Sequence, residues 1–284
     1  MNIRIIPRLD IKGPNLVKGI HMEGLRVLGK PEYFARYYYE NGADELIYMD
    51  AVASLYGRNS LLEIVERTAR EIFIPLCVGG GLRTVDDIRA VLRAGADKVS
   101  INTAAIRNPE LIREASRAFG SSTIVIGIEA MRKPDGMYEA LVNYGRDRTG
   151  VDAVRWAVQA AELGAGEILV TSIEREGTGK GFDLELTRRI AESVPVPVIA
   201  HGGAGRADDV LDAIRSGSAD AVSVASILHY ECIEQIKPDE REFIEEGNIE
   251  FLRRGGTHTR IQPASLVDIK SLLVKNGVAC RFKN

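Results

Sequence analysis

The chain has 284 residues, 45% hydrophobic and 27% charged, with 37 Lys and Arg against 40 Asp and Glu for a net charge of −3. That balance excludes disordered, collagenous and coiled-coil classes, and the lack of any clustered basic run argues against a nucleic-acid partner. The opening MNIRIIPRLD reaches charges and a proline within ten residues, so it reads as neither a signal peptide nor a membrane span, and a cytoplasmic protein without membrane contact is expected.

Short β-branched runs alternate with amphipathic stretches along the chain. Strands are predicted at 3–11, 46–51, 75–78, 98–101, 123–128, 167–171, 197–200 and 221–224. Helices are predicted at 32–43, 61–72, 85–96, 109–120, 152–165, 184–194 and 207–218, with apolar residues near i, i+3, i+4 spacing and often a closing Gly. Strict βα alternation implies a parallel sheet, and eight units close most naturally into a single (β/α)8 TIM barrel over residues 1–284. A doubly wound open sheet is the alternative. Cys77, Cys232 and Cys280 are odd in number, far apart and without a CxxC, and there are only four histidines, so no disulfide framework, metal site or cofactor is expected.

The chain repeats itself. Gly42-Ala43-Asp44-Glu45-Leu46 recurs as Gly164-Ala165-Gly166-Glu167-Ile168, and Gly80-Gly81 with Asp86-Asp87 recurs as Gly202-Gly203 with Asp208-Asp209, both 122 positions later. Val99-Ser100-Ile101-Asn102-Thr103 recurs as Val222-Ser223-Val224-Ala225-Ser226. Four βα units per repeat fit a two-fold half-barrel repeat, with halves at about 1–120 and 121–284.

In such barrels chemistry sits where strands end and βα loops begin. Asp10 ends the first strand, followed by a long Gly-containing loop with Lys18, and Glu129 holds the equivalent position in the second half. Two carboxylates across the mouth supply an acid and a base if their surroundings separate their pKa values; the alternative is that each pairs with a neighbouring cation. Gly79-Gly80-Gly81 and His201-Gly202-Gly203-Ala204-Gly205 each precede a helix, and Asn102-Thr103 and Ala225-Ser226 begin the next. Turns without side chains let backbone N–H groups approach an anion, so each half offers a phosphate cradle and the substrate is expected to carry two phosphates. The loop from Thr171 through Glu176 and Gly177 to Gly181 is dense in hydroxyls, charges and glycines and reads as substrate contact. At the other rim, Arg4, Glu45, Lys98 and Glu167 lie at strand beginnings, where from geometry alone they read as capping salt bridges.

The stretches RIIPRLDIKG, LVKG, GADELIYMD, IPLCVGGGLRT, AGADKVSINTAAIRNPELI, GAGEILVTSIEREGT, PVIAHGGAG and VKNGVACRF, spread over nearly the whole chain, resemble the cyclase subunit of imidazole glycerol phosphate synthase, a (β/α)8 barrel of histidine biosynthesis. The resemblance implies a lyase that uses ammonia to convert a bis-phosphorylated ribulosyl-formimino aminoimidazole carboxamide ribotide into imidazole glycerol phosphate and aminoimidazole carboxamide ribotide. It implies Asp10 and Glu129 as catalytic residues. One phosphate would lie on Gly81, Asn102 and Thr103, the other on Gly177, Gly203, Ala225 and Ser226. It also implies a glutaminase subunit at the bottom rim, feeding ammonia through a gate made by Arg4, Glu45, Lys98 and Glu167.

Departures cluster on the substrate side. Glu129, Glu174 and Glu176 stand where the family usually has aspartates, His201 where Ser is expected, Arg8 for a common Cys, and His21-Met22 for Asn-Phe. A different acceptor is therefore a second expectation: a paralogue that activates a glutaminase and channels ammonia for acetamidino-sugar formation in surface-polysaccharide biosynthesis. The segment 231–263 reads as an insertion before the last helix, a solvated surface helix or a partner contact.

Overall fold

The computed structural model describes residues 2–53, 61–236 and 260–282. Eight parallel strands close a barrel in chain order: β1 (Arg4–Lys12), β4 (Leu46–Asp50), β5 (Leu76–Gly79), β6 (Lys98–Ile101), β7 (Ile124–Arg132), β10 (Glu167–Ser172), β11 (Val198–His201) and β12 (Ala221–Val224). The ring closes between halves where β7 pairs β10, from Val125 with Glu167 to Ala130 with Ser172, and where β12 pairs β1. Helices α1 (Pro31–Glu40), α2 (Leu62–Ala69), α3 (Val85–Arg93), α4 (Thr103–Arg107), α5 (Glu110–Phe119), α6 (Ala153–Glu162), α7 (Leu184–Ala191), α8 (Ala207–Arg215), α9 (Ser226–Ile236) and α10 (Leu266–Lys275) connect the strands. Among the described residues no helix is long and apolar enough to cross a membrane. Of the predicted insertion at 231–263, residues 231–236 finish α9, and 237–259 lie outside the described residues.

Two strands lead into hairpins that were not predicted. β1, predicted to end at residue 11, runs to Lys12 and folds back through an antiparallel hairpin, β2 (Asn15–Ile20) and β3 (Glu23–Gly29). β7 likewise continues past Glu129 to Arg132, joined to β8 (Tyr138–Val142) and β9 (Asp147–Asp152). These hairpins occupy matching places in the two halves. Both turn through non-glycine residues in the left-handed region, His21 and Met22 in one and Asn143 and Tyr144 in the other.

Period-two alternation sorts each strand into a helix-facing and an axis-facing set. Ile5, Leu9, Ile11, Leu46, Tyr48, Val78, Ile126, Val170 and Val222 pack outward into the main core shared with the helices. Ile6, Ile47, Cys77, Val125, Leu169, Ile199 and Ala221 meet on the axis in a separate apolar layer. Because strands of a covered barrel are buried on both faces, they read as continuous apolar runs. Helix starts are capped by side chains at equivalent positions. Asp87 accepts from the backbone N–H of Arg83 and Thr84, and Asp209 from those of Gly205 and Arg206, which accounts for the second Asp of each repeated pair.

Leu169→Ala opens a hole in the axial layer and should cost about 2–5 kcal/mol in a denaturant titration. Phe73→Ala, at a side chain 80% exposed, should stay within about 0.5 kcal/mol of the parent.

Candidate active site

The inward set of β1 runs Arg4, Ile6, Arg8, Asp10, so one strand contributes to floor, apolar layer and mouth. At the floor, Arg4 contacts Glu45 at 2.6 Å and Glu167 at 3.1 Å, while Lys98 contacts the same two carboxylates at 3.0 Å each. The four side chains form a closed ring of alternating sign. Burial works against Arg4 and Lys98, but the facing carboxylates raise both pKa values, whereas burial lifts Glu45 against the pull of Lys98 and Arg4.

At the other end the mouth divides into two spaces. The larger, about 250 Å³, is lined by Gly81, Asn102, Thr103, Glu129, Thr171, Tyr144 and Arg8 among others. The smaller is lined by Lys18, Glu176, Gly177, Gly202, Gly203, Ala225 and Ser226, together with His201 and Ser223. The two cradles read from the glycine loops are thus separate places, and α9 starts at the second one. Gly203 has φ near 113°, and a Cβ there would collide with the Gly181 carbonyl, so its glycine is required by loop contact as well as by any anion.

Glu129 lines the larger cavity, and its Oε2 has no hydrogen-bond partner. Burial pushes its pKa up to about 7, against the opposing charge of Arg8 and donors from Gly145 N–H and Asn102. Asn102 Oδ1, another lining group, is also unpartnered. Unsatisfied buried polar atoms are uncommon, and two in one cavity mark a place a ligand would complete. Asp10 is 2% exposed, and the equally buried Arg8 guanidinium donates from Nε to its Oδ1 at 2.9 Å.

The hairpin β2–β3 lies over the mouth and locks onto the loop after β10. Lys18 pairs with Glu176 Oε1, Met22 N–H donates to Glu176 Oε2 at 3.0 Å, and His21 N–H donates to the Glu176 carbonyl at 2.9 Å. Met22 packs with Val17, Val27, Ala51, Leu141, Tyr144 and Ile173 in a small core of its own. With Lys18 committed, the second cradle has about 10 Å³ free, roughly one water's worth.

Sequence reasoning singled out Gly81, Asn102, Thr103 and Thr171 of the larger space and Lys18, Glu176, Gly177, Gly202, Gly203, Ala225 and Ser226 of the smaller, but gave Arg8, His201, Ser100 and Ser223 no role and did not find Tyr144. The alternation Arg8-x-Asp10 was available as a signal; Tyr144 enters only through the unanticipated β8–β9 hairpin.

A family described as "Histidine biosynthesis protein" matches residues 4–234. The "Imidazole glycerol phosphate synthase subunit HisF" of Legionella pneumophila is 58% identical over 208 residues, 73% of this chain and 98% of that protein. The protein of the same name from Alkaliphilus metalliredigens (strain QYMF) is 50% identical over 227 residues, 80% of this chain and 90% of its own. The chain belongs to the histidine biosynthesis protein family, and its relatives at this identity are the HisF subunit of imidazole glycerol phosphate synthase.

Proposed function

We propose that the chain is the cyclase of an imidazole glycerol phosphate synthase, taking ammonia at the barrel floor and spending it on a bis-phosphorylated ribotide at the mouth. The observation that carries this reading is the stack along one axis: a ring of four charges, an apolar layer, then a carboxyl titrating near neutrality between two glycine-rich cradles. Ammonia addition, ring closure and release of the aminoimidazole each move protons. A group with a pKa of about 7 can give and take them at neutral pH. Asp10 and Glu129 are the acid–base pair of the reading, Gly81, Asn102 and Thr103 the first phosphate site, and Lys18, Gly177, Gly202, Gly203, Ala225 and Ser226 the second, with Thr171 and Glu176 between them.

An apolar layer admits neutral ammonia at far lower cost than ammonium. The ring of Arg4, Glu45, Lys98 and Glu167 is the gate below that layer, and a glutaminase seated on this rim is the source. Phe73, just ahead of β5 and 80% exposed beside Ile74 and Pro75, gives such a partner an apolar anchor on that rim.

One observation favours the second reading, ammonia delivery for a sugar acceptor: the second cradle, lined by the Lys18–Glu176 pair, has only about 10 Å³ free. Purified protein with the ribulosyl-formimino substrate and ammonium salt separates the two. Imidazole glycerol phosphate forms under the cyclase reading; activation of a glutaminase without product favours the other.

Under the cyclase reading, Asp10→Asn abolishes turnover, while Thr103→Val raises KM more than it lowers kcat, a loss of uniform binding. Glu167→Gln opens the ring and lowers glutamine-driven turnover relative to ammonium-driven turnover, and Phe73→Asp weakens glutaminase binding at least tenfold in a titration, on the order of one lost anchor.

Glu129 also has a stability signature. Its folded pKa is raised from 4.5 to about 7, so the stability it confers is fully present below 4.5 and is lost as pH rises through about 7. Glu129→Gln should therefore gain on the parent in denaturant midpoint at pH 8, with the gain shrinking toward pH 4.5.

A further inference from the structure

Arg8 and His201, two separate departures in the sequence, touch each other. Arg8 Nη1 lies 3.2 Å from His201 Nδ1 and 3.3 Å from Thr171 Oγ1, while Nε holds Asp10. A guanidinium only donates, so His201 Nδ1 accepts and the ring proton sits on Nε2. Burial, with Arg8 and Lys18 nearby, pushes the His201 pKa well below its ordinary value, so the imidazole is neutral and adds no charge. One arginine from β1 is thereby fixed to β10 and β11 by two neutral acceptors and to its own strand by an anion. Its planar fork suits this work, which a lysine could do only in part.

One guanidinium serves both central carboxyls. Its Nε holds Asp10, and it lines the larger cavity together with Glu129. We propose that Arg8 is a positioning residue of the reaction: it fixes Asp10 in place and sets a permanent positive charge in the cavity of Glu129, so that proton exchange at Glu129 is governed by the residue at position 8. The proposal rests on the cyclase reading for its reaction, and on these contacts for the role of Arg8.

The groups facing Glu129 are few. Arg8 and Asp10 come from β1, Asn102 from the loop after β6, Tyr144 and the Gly145 N–H from the β8–β9 turn, and Thr171 is its register partner on β10. Asp50 lines the same cavity, but its Oδ1 accepts from the backbone N–H of Val52 and Ala53. Of these neighbours, Arg8 draws the Glu129 pKa down and Asp10 draws it up.

Opposite signs make the test. In the full-length protein, ¹³C-carboxyl NMR titration with glutamate labelling, assigned through Glu129→Gln, reads the Glu129 pKa without any assay of activity. Arg8→Gln should move it up by about one unit or more, and Asp10→Asn should move it down. Arg8→Lys should leave it near the parent value. If Arg8→Gln fails to fold, the Asp10→Asn and Arg8→Lys shifts still decide. In steady state with ammonium, the limb of the pH profile belonging to Glu129 should move up in Arg8→Gln and stay near the parent in Arg8→Lys, and Arg8→Gln should lower kcat about tenfold with KM within about threefold of the parent. Turnover in the parent with the Glu129 pKa unmoved by these substitutions overturns the role of Arg8. Shifts as expected with no turnover in the parent overturn the cyclase reading and leave the electrostatic hold of Arg8 on Glu129 intact.

Discussion

Alternate residues of a barrel strand share one axis, and nearly everything functional in this chain follows from that constraint acting on β1. Arg4, Ile6, Arg8 and Asp10 are forced into register above one another, two residues apart, at floor, apolar layer and mouth. β10 does the same with Glu167, Leu169 and Thr171, and β7 with Val125, Gly127 and Glu129. Parallel register then sets Glu129 beside Thr171, and His201 beside Ser223. No loop has to reach into the barrel to bring charge to its centre. The strands carry it there on the face that otherwise holds only apolar packing.

Such charge is expensive to bury, and the molecule satisfies it in two ways. At the floor, two cations and two anions alternate, so each has two opposite neighbours. At the mouth, pairs take over: Arg8 with Asp10, Lys18 with Glu176. Among the described residues six buried side-chain atoms lack a partner; Glu129 Oε2 and Asn102 Oδ1 line the larger cavity and Ser223 Oγ the second cradle, while Glu45 Oε1, Trp156 Nε1 and His229 Nε2 lie elsewhere. The desolvation that makes Glu129 costly is the same desolvation that brings its pKa to about 7, so the destabilisation and the near-neutral pKa have one origin.

The barrel was legible because its strands are short apolar runs between helices of clear 3.6-residue period, and because the 122-residue repeat fixes equivalent positions twice. The two hairpins were not read. NLVKGI and GLRVLG alternate as strands should, and KPDGM after β7 is a turn signal, but both stretches carry glycines and charges that read equally as loop. Their strand character comes from pairing with the overrun of β1 and β7, which is tertiary. The glycine cradles and the ring of floor charges were visible as residue types at strand ends. That Arg8 meets Thr171 and His201 was not, because facing across an axis is a property of the closed sheet and not of spacing along one strand.

The departures on the substrate side are complementary in space. Glu176 reaches Lys18 with one carboxylate oxygen and the Met22 N–H with the other, so its longer side chain serves the same hairpin tip in which His21 and Met22 are themselves altered. His21 holds left-handed φ there while its Nδ1 lies 2.9 Å from the Ile173 carbonyl. In the centre, Arg8 fills space that a cysteine would leave open, and His201 supplies the acceptor its Nη1 needs. A carboxyl that must clear this guanidinium to present an oxygen to the cavity benefits from one more methylene, which is what Glu129 has over an aspartate. The changes at 8 and 201, and those at 21, 22 and 176, therefore form two contacting groups, while Glu174 stands apart, exposed and accepting from the Arg132 N–H. Shortening Glu176 withdraws a carboxylate from Lys18 and the Met22 N–H, and replacing Arg8 removes the counter-charge of Asp10 and the donor to His201, so within each group the residues constrain one another.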